Sequence, residues 1–549
     1  MTHGALIRRP VGKKSAGLSV LALVAALPVT AQTINGAGIG IGGMPLIATD
    51  ALPGVGVAGS GLQLPGAGLR FRVVPSLSIS ETITDNATLS STDRQAEAIT
   101  RLTAGVGILS TGGRVRGFFN YALTGLLYAR GTSPNTLQAQ NSLNTSSTTE
   151  LIERHAYVDV ASTISQQAVS ALGTQSVDPA LGTGNRTEVR TLSVSPYLRG
   201  QVPEIANYDL RATRVTTHTT SALVSNTTTT LLSAGLTGVG TRRLNWAANA
   251  SRQIYDYSAG RRTESDRVNG LLLLTVDPQL RFTLNAGREA SNFSTLDKES
   301  RAIYGLRMDW LPSMRTSVVA EVQQRFFGKA HTFSLSHRTP RSAWIYSDTK
   351  DVSATGPNAG VGVQGTLFDL FYNAFASREP DPVARTTLVN AFLLSNGINP
   401  VTPVTTGFLA SSATVRRLQS LSFTLLGIRD TLTFSANRSD AQRIDTVVRT
   451  NDDFSTFGRL VQQGFGVNYL HRLTPQSNFV LALTQQRNAG AGSTVSASQS
   501  TTLRSATATV SGLVGYRLRG SVSARHSRFD SATSPYHESA VIATLSLQF

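Results

Sequence analysis

Hydrolytic chemistry needs a nucleophile, a base and an orienting group within reach of one another, with oxyanion donors beside them. Seven histidines follow His3, namely His155, His218, His331, His337, His471, His526 and His537. They are scattered over separate segments, and no serine stands in a Gly-x-Ser-x-Gly elbow. His331 and His337 share one short extended stretch, where six residues separate them by about 20 Å, too far to hold one metal. Asp452 with Asp453, and Glu379 with Asp381, are the carboxylate pairs that could hold Ca²⁺ in a loop, although solvated loop carboxylates are far commoner. The absence of cysteine removes thiol catalysis, thiolate metal sites and disulfides. Residues 38–43 and 54–59 satisfy G-x-G-x-x-G, yet no convincing strand precedes either and no helix follows, so neither reads as a dinucleotide site. These residues predict no enzyme, no cofactor and no metal centre.

The polar residues that do carry a pattern are arginines, set on one side of alternating segments. In residues 304–310, Tyr304, Leu306, Met308 and Trp310 alternate with Gly305, Arg307 and Asp309. Residues 280–288 place Leu280, Phe282, Leu284 and Ala286 opposite Arg281, Thr283 and Asn285. Tyr208, Leu210 and Ala212 oppose Asp209, Arg211 and Thr213, while Tyr516, Leu518, Gly520, Val522 and Ala524 oppose Arg517, Arg519 and Arg525. With Leu192, Val194, Pro196 and Leu198 turned one way, Arg199 turns the other; with Val318, Ala320 and Val322 turned out, Glu321, Gln323 and Arg325 turn in. If the apolar faces meet lipid, a charge among them costs about 2–4 kcal/mol near the midplane, so the arginines belong on the inner face. The candidate pore-lining residues are therefore Arg199, Arg211, Arg281, Arg307, Glu321, Arg325, Arg517, Arg519 and Arg525. Such a lumen favours anions and offers planar donors to carboxylates and sugar acids. The same residues could instead serve as ion pairs that stiffen the wall.

What must position them is a closed sheet. The period of these segments is two, which is a strand and not a helix. From residue 70 to 549 the chain repeats a strand of about ten residues, a turn and another strand, and no apolar run there approaches the ~20 residues of a spanning helix. Single prolines in residues 276–280, 310–314 and 473–477 mark tight links suited to the periplasmic side. Longer polar stretches at 131–149, 489–500 and 529–538 are expected as outer loops. Two stretches break the alternation: residues 165–172 suggest a short helix, and residues 380–396 a longer one, with Leu388, Ala391, Phe392 and Ser395 at helical spacing. The prediction is an all-β transmembrane antiparallel barrel of roughly twenty strands, within 16 to 22 and even in number. A wall that wide cannot be filled by its own side chains and encloses water unless loops or a plug enter.

Ahead of the barrel, residues 1–31 read as a signal peptide, with Arg8, Arg9, Lys13 and Lys14 before an apolar run and Val29, Thr30 and Ala31 at the cleavage site. Residues 32–69 read as a glycine-rich flexible periplasmic tether. Apolar residues make up 40% and charged residues 15%, both low for a globular protein, and the remainder suits a wall between lipid and water. The net charge of +17 falls to +13 without the four cations of the leader. No basic helix or basic-aromatic cluster accompanies it, which argues against nucleic acid and for anionic solutes, saccharides or lipopolysaccharide phosphates.

The last segment, residues 539–549, turns Val541, Ala543, Leu545, Leu547 and Phe549 to one face. With its final aromatic it resembles the C-terminal signal of bacterial outer-membrane proteins, which implies recognition of Val541, Leu545, Leu547 and Phe549 by the barrel-assembly machinery. Further passages are similar to a family of outer-membrane β-barrels associated with the PEP-CTERM protein-sorting system, usually found with exopolysaccharide production. They are residues 75–86, 194–198, 381–397, 427–430 and 471–475. The resemblance implies the bacterial outer membrane, a barrel and a tie to envelope polysaccharide; it brings no catalytic residue, and this chain carries no Pro-Glu-Pro tag of its own. The leading expectation is a porin-like channel passing exopolysaccharide or another polar or anionic solute. The alternatives are a docking barrel that anchors a periplasmic export protein, with a sheath for an electron-transfer partner as a variant, and an envelope hydrolase. Outer-membrane lipid and lipopolysaccharide are the expected surroundings.

Overall fold

The computed structural model describes residues 71–110, 112–131, 137–221, 224–241, 243–353, 408–410, 412–445, 452–492 and 498–549. The expected leader and tether, and the helical stretch at 380–396, lie outside these residues. The described chain forms one antiparallel sheet of 22 strands, at the top of the expected range and even in number. In chain order these are β1 (Phe71–Thr84), β2 (Glu97–Ser110), β3 (Val115–Tyr128), β4 (Leu137–Ile152), β5 (Ala156–Ala168), β6 (Arg186–Val202), β7 (Ala206–Thr219) and β8 (Thr227–Gly238). They continue with β9 (Leu244–Tyr257), β10 (Thr263–Asp277), β11 (Leu280–Ser291), β12 (Glu299–Ser313), β13 (Thr316–Arg325), β14 (Gly328–Arg338) and β15 (Ser342–Ser353). The last are β16 (Thr414–Leu426), β17 (Asp430–Arg443), β18 (Arg459–Thr474), β19 (Ser477–Ala491), β20 (Ser498–Gly515), β21 (Leu518–Asp530) and β22 (Tyr536–Gln548).

Each strand pairs with the next in sequence, and β22 then returns to β1 with Ile83 opposite Val541 and Leu77 opposite Leu547. Closure leaves the sheet no edge strand, as hydrocarbon requires. Among the described residues no helix is long and apolar enough to cross a membrane. The crossing elements are the strands.

Alternation decides which side chain meets which solvent. Leu272, Leu284, Leu306 and Val322 sit side by side on β10 to β13 in register, and they are 44–61% accessible together with neighbours such as Val268 and Tyr304. These exposed apolar rows form the outer belt. The opposite face carries Ser76, Ser78 and Ser80 on β1, Asn249 and Ser251 on β9, Ser420 and Ser422 on β16, and Asn468 on β18. A wall with this division is apolar towards lipid and polar towards its axis.

The two ends differ in their connections. At one end the links are short: residues 153–155, 203–205, 278–279, 314–315, 339–341, 427–429, 475–476 and 516–517. The other end holds the long links, 85–96, 169–185, 292–298 and 444–458 among them. Short periplasmic turns and long outer loops orient the barrel, with Phe71 and Phe549 at the periplasmic end. Pro278 and Pro475 lie in such turns as expected, whereas Pro312 lies in the irregular end of β12 and the turn itself is Met314 and Arg315. Three expectations about loops need correction. Residues 137–149 belong to β4, because their polar side chains alternate with others in a strand that faces water inside. Residues 165–168 complete β5 and no helix follows, since the ladder to β6 continues to Ala168. The loops expected at 489–500 and 529–538 shrink to 492–497 and 531–535 as the flanking strands extend beyond the apolar belt.

The wall predicts a face-dependent cost for one and the same substitution. Leu272→Arg puts a guanidinium in the belt and should lower unfolding stability in lipid vesicles by about 2–4 kcal/mol. Leu273→Arg, one residue on and facing inward beside Asn245 and Thr283, should cost under about 1 kcal/mol. Urea midpoints of the two variants check this.

Candidate functional site: a loop layer across the outer mouth and the arginines beneath it

The outer mouth is crossed by the chain itself. Residues 169–185, between β5 and β6, lean away from their own strands and attach to the wall formed by β2, β3, β19, β21 and β22. The Tyr128 hydroxyl donates to the Ala180 carbonyl at 2.6 Å and that of Tyr536 to the Gln175 carbonyl at 2.5 Å. On the far side the Asn488 amide donates to the Ala171 carbonyl at 2.7 Å. Ala180 and Leu181 pack with Ile99, Leu126, Phe529 and Tyr536 in one buried apolar cluster.

A second segment completes the layer. Leu409 donates its N–H to the Ala168 carbonyl at 3.1 Å, at the end of β5, yet Thr414 already opens β16 on the opposite side of the ring. Phe408 packs with Phe454, Phe457, Leu172 and Ala171, Leu409 with Val169, Val189 and Val224, and Ala413 with Tyr255 and Phe293. A one-turn helix, Asp453–Thr456, supplies the last fastening. Asp452 caps it by accepting from the Ser455 N–H, and Asp453 accepts from the Ser170 hydroxyl and the Ala171 N–H, both at 2.6 Å. The carboxylate pair considered above for Ca²⁺ is thus committed to protein donors. Glu379 and Asp381 lie outside the described residues. Among the described residues no group of three or more His, Cys, Asp or Glu is placed to hold a metal ion.

The charged centre of the layer is Asp178. Its carboxylate, 4% exposed, meets Arg101 at 2.6 Å and Arg525 at 2.9 Å, and Arg525 also binds Glu538 at 2.8 Å. Glu538 accepts further bonds from Thr84 and Ser527. Burial alone would push the Asp178 carboxyl up, but Arg101, Arg525 and the Ala180 N–H outweigh it and hold its pKa at about 2. Asp453 goes the other way: burial raises its pKa, against the pull of Ser170 and Ala171. The two carboxylates shift in opposite directions because Asp178 faces two guanidinium groups whereas burial dominates at Asp453.

The predicted arginines sort into three groups. Arg199, Arg211, Arg281, Arg307, Arg325, Arg519 and Arg525 are on the inner face by register, with Glu321 among them. Arg325 and Arg525 are only 6% exposed, so they fasten the wall and are not free to meet a solute. Arg325 joins Glu289, Arg267 and Asp351. Arg307 is held by Asp309 at 2.8 Å and Glu321 at 3.4 Å. Arg517 is a correction: it lies in the turn between β20 and β21 at a φ of 72°, beside Tyr516 and not on a strand face, because the ladder resumes only at Leu518.

Near the periplasmic end the inner face carries an aromatic stack covered by arginines. Tyr157 and Tyr197 lie ring on ring at 5.0 Å, with Arg199 over Tyr157 at 4.3 Å and Arg211 over Tyr197 at 4.0 Å. Asp159 binds Arg211 at 2.8 Å. Both rings are buried between the two guanidinium planes, so what this stack presents to the lumen is planar N–H donors, suited to acidic groups, and not a ring face. The arginines were visible in the sequence. Tyr157, Asp178 and Tyr536 were not, since only the register brings them together.

The histidines stay apart. His331 contacts Asp348, His471 contacts Asp430, His526 contacts Ser539, His537 contacts Arg94 and His337 contacts Thr316. His331 and His337 share β14 but contact opposite neighbouring strands, and the others lie on β18, β21 and β22.

An edgeless wall, apolar outside and polar within, has one place to reside. The chain is a bacterial outer-membrane β-barrel. No family model matches it and no curated protein does. Among solved structures it is similar to the FrpB iron transporter of Neisseria meningitidis (F5-1 variant), at 9% identity and a TM-score of 0.46 over 86% of this chain and 82% of that one. It is similar also to the siderophore receptor PirA of Pseudomonas aeruginosa, at 10% identity and a TM-score of 0.38 over 87% and 80% of the two chains. The outer membrane protein OpdK of Pseudomonas aeruginosa gives 8% identity and a TM-score of 0.34 over 87% and 99%. Likenesses of this extent say nothing of what the barrel carries.

Two outcomes follow from the loop layer. Arg525→Gln leaves Asp178 and Glu538 short of a buried cation and should weaken the layer by about 3–5 kcal/mol, seen as lost hydrogen-exchange protection at Ala180 and Leu181. The depressed Asp178 pKa means that its contribution is complete above the unfolded value near 4 and is lost as pH falls towards about 2. Rate-corrected protection of those amides should therefore stay level from pH 7 to pH 4.5 and fall below it.

Proposed function

We propose that the protein is a non-enzymatic, porin-like channel for polar or anionic solutes, narrowed at its outer mouth by residues 169–185, 408–410 and 412–413. The observation that carries this reading is the polar inner wall of a ring too wide to fill itself, with the exposed Arg199 guanidinium turned to the lumen towards the periplasmic end. Guanidinium groups on tyrosine rings suit sugar acids, so exopolysaccharide is the solute class we propose. The resemblance to barrels of the PEP-CTERM sorting system supports it. A second reading has one observation in its favour. A mouth crossed outside by the loop layer and short-turned inside suits a cup for a periplasmic export protein, and in that case the barrel is an anchor.

Planar-bilayer recording separates the two. For a channel, replacing residues 170–184 by a short Gly-Ser link should raise unit conductance several-fold, and the wild type should prefer anions. Arg199→Gln with Arg211→Gln should reduce that preference, with conductance otherwise kept. A barrel that stays silent even without residues 170–184 would reject the channel and leave the anchor.

A further inference from the structure

The outward face of β14 to β19 changes character within two steps of the alternation. Trp344, Phe423, Phe434, Val467 and Leu483 form one row in register across β15 to β19, and the Trp344 and Phe423 rings are 4.1 Å apart. Four residues further towards the outer end, the corresponding row is Asp348, Gln419, Arg438, Gln463 and Arg487. Above that come Lys350, Arg417 and Asp440, with Lys329 and Arg459 on the flanking strands. The band thus holds six cations and two carboxylates. Arg417 and His331 close on Asp348 at 2.5 and 3.1 Å, and Arg459 closes on Asp440 at 2.5 Å. Arg438 stands 3.9 Å from Asp440 and is 48% exposed.

Two further features give the band a direction. Gln419, Gln463 and Gln485 interleave with the cations, adding neutral donors and acceptors of the kind that meet sugar hydroxyls and amides. On the adjoining strands the outward side chains shrink to Ala506, Ala508 and Ala524, leaving an apolar groove lined also by Leu481, Val541 and His526. Arg504 lies outward just above it, bound to Gln485 and Asp530.

We propose that this face is a binding site for a phosphorylated, multiply acylated glycolipid of the outer leaflet. Its phosphates meet Arg438, Arg487, Lys350 and Lys329, its sugars meet the glutamines, and its acyl chains lie on the Trp344 and Phe423 row and in the alanine groove. The charge excess selects phosphate, the interleaved amides select sugar, and the flat apolar rows beneath select acyl chains. An anionic phospholipid supplies only the first and last of these. A water-soluble anion supplies only the first.

The test uses the refolded full chain in nanodiscs and native mass spectrometry of bound lipid, with three probes: bisphosphorylated lipid A, its dephosphorylated form and phosphatidylglycerol. The wild type should retain bisphosphorylated lipid A at least tenfold better than either other lipid. Arg438→Gln with Arg487→Gln should lower that affinity roughly 25-fold, each cation near the surface being worth about fivefold. Both side chains are exposed, and unchanged heat-modifiable migration confirms the barrel. Equal retention of phosphatidylglycerol, or a double variant that binds lipid A as the wild type does, would overturn the proposal.

Discussion

Everything in this molecule depends on one requirement: no main-chain donor or acceptor can be left bare in hydrocarbon. A single unpaired group costs several kcal/mol there, and a spanning sheet with two open edges would carry rows of them. The contact between β1 and β22, nine residue pairs from Ser76 opposite Gln548 to Thr84 opposite Ala540, removes both edges at once. The loop side of this seam is reinforced. The Asn86 side chain donates to the His537 carbonyl, and Asp85 accepts the Ser539 N–H. Once the ring is closed, alternation leaves each residue only two choices of solvent, and the distribution of charge follows.

That distribution explains why an inner face rich in arginine does not amount to a strongly positive lumen. Water beside the inner wall is confined, and a guanidinium there is more cheaply balanced by a carboxylate on the next strand than by bulk solvent. Arg307 sits between Asp309 and Glu321, Arg211 beside Asp159, and Arg325 and Arg267 around Glu289. What sets the field is the minority whose partners are aromatic faces, as with Arg199 over Tyr157.

How much of this could be read beforehand follows from the range of the interactions. Alternation is a property of neighbours in sequence, so the strands, their faces and the inward side of Arg307 or Glu321 were legible in the chain. The tight turns at Pro278 and Pro475 were legible too, because proline fixes a local angle. Strand ends were less so: once a strand leaves the belt, both faces meet water, and residues 137–149 lost the contrast that marks a strand. The loop layer was invisible. Asp178 lies 347 positions from Arg525, and nothing local distinguishes it from any solvated loop aspartate. Arg517 shows the opposite failure, where alternation ran on into a turn that the backbone had already made.

The layer and the wall also differ in what parting them would leave behind. Glu289, Arg325, Arg267 and Asp351 all belong to strands, so that cluster cannot open without breaking the ladder. Asp178 is carried by the loop. If residues 169–185 withdraw, Arg525 keeps Glu538 at 2.8 Å, and Arg101, already 29% exposed on its side chain, turns to water. Asp178 leaves as a carboxylate that water solvates well at neutral pH. No uncompensated charge is stranded in the wall, so the cost of parting is the loss of the Asp178 ion pairs together with the apolar packing of Ala180 and Leu181 and a few hydrogen bonds to tyrosine. Those are the interactions that a contact of moderate strength is made from, and they distinguish a fastening that can be undone from a structural member of the barrel.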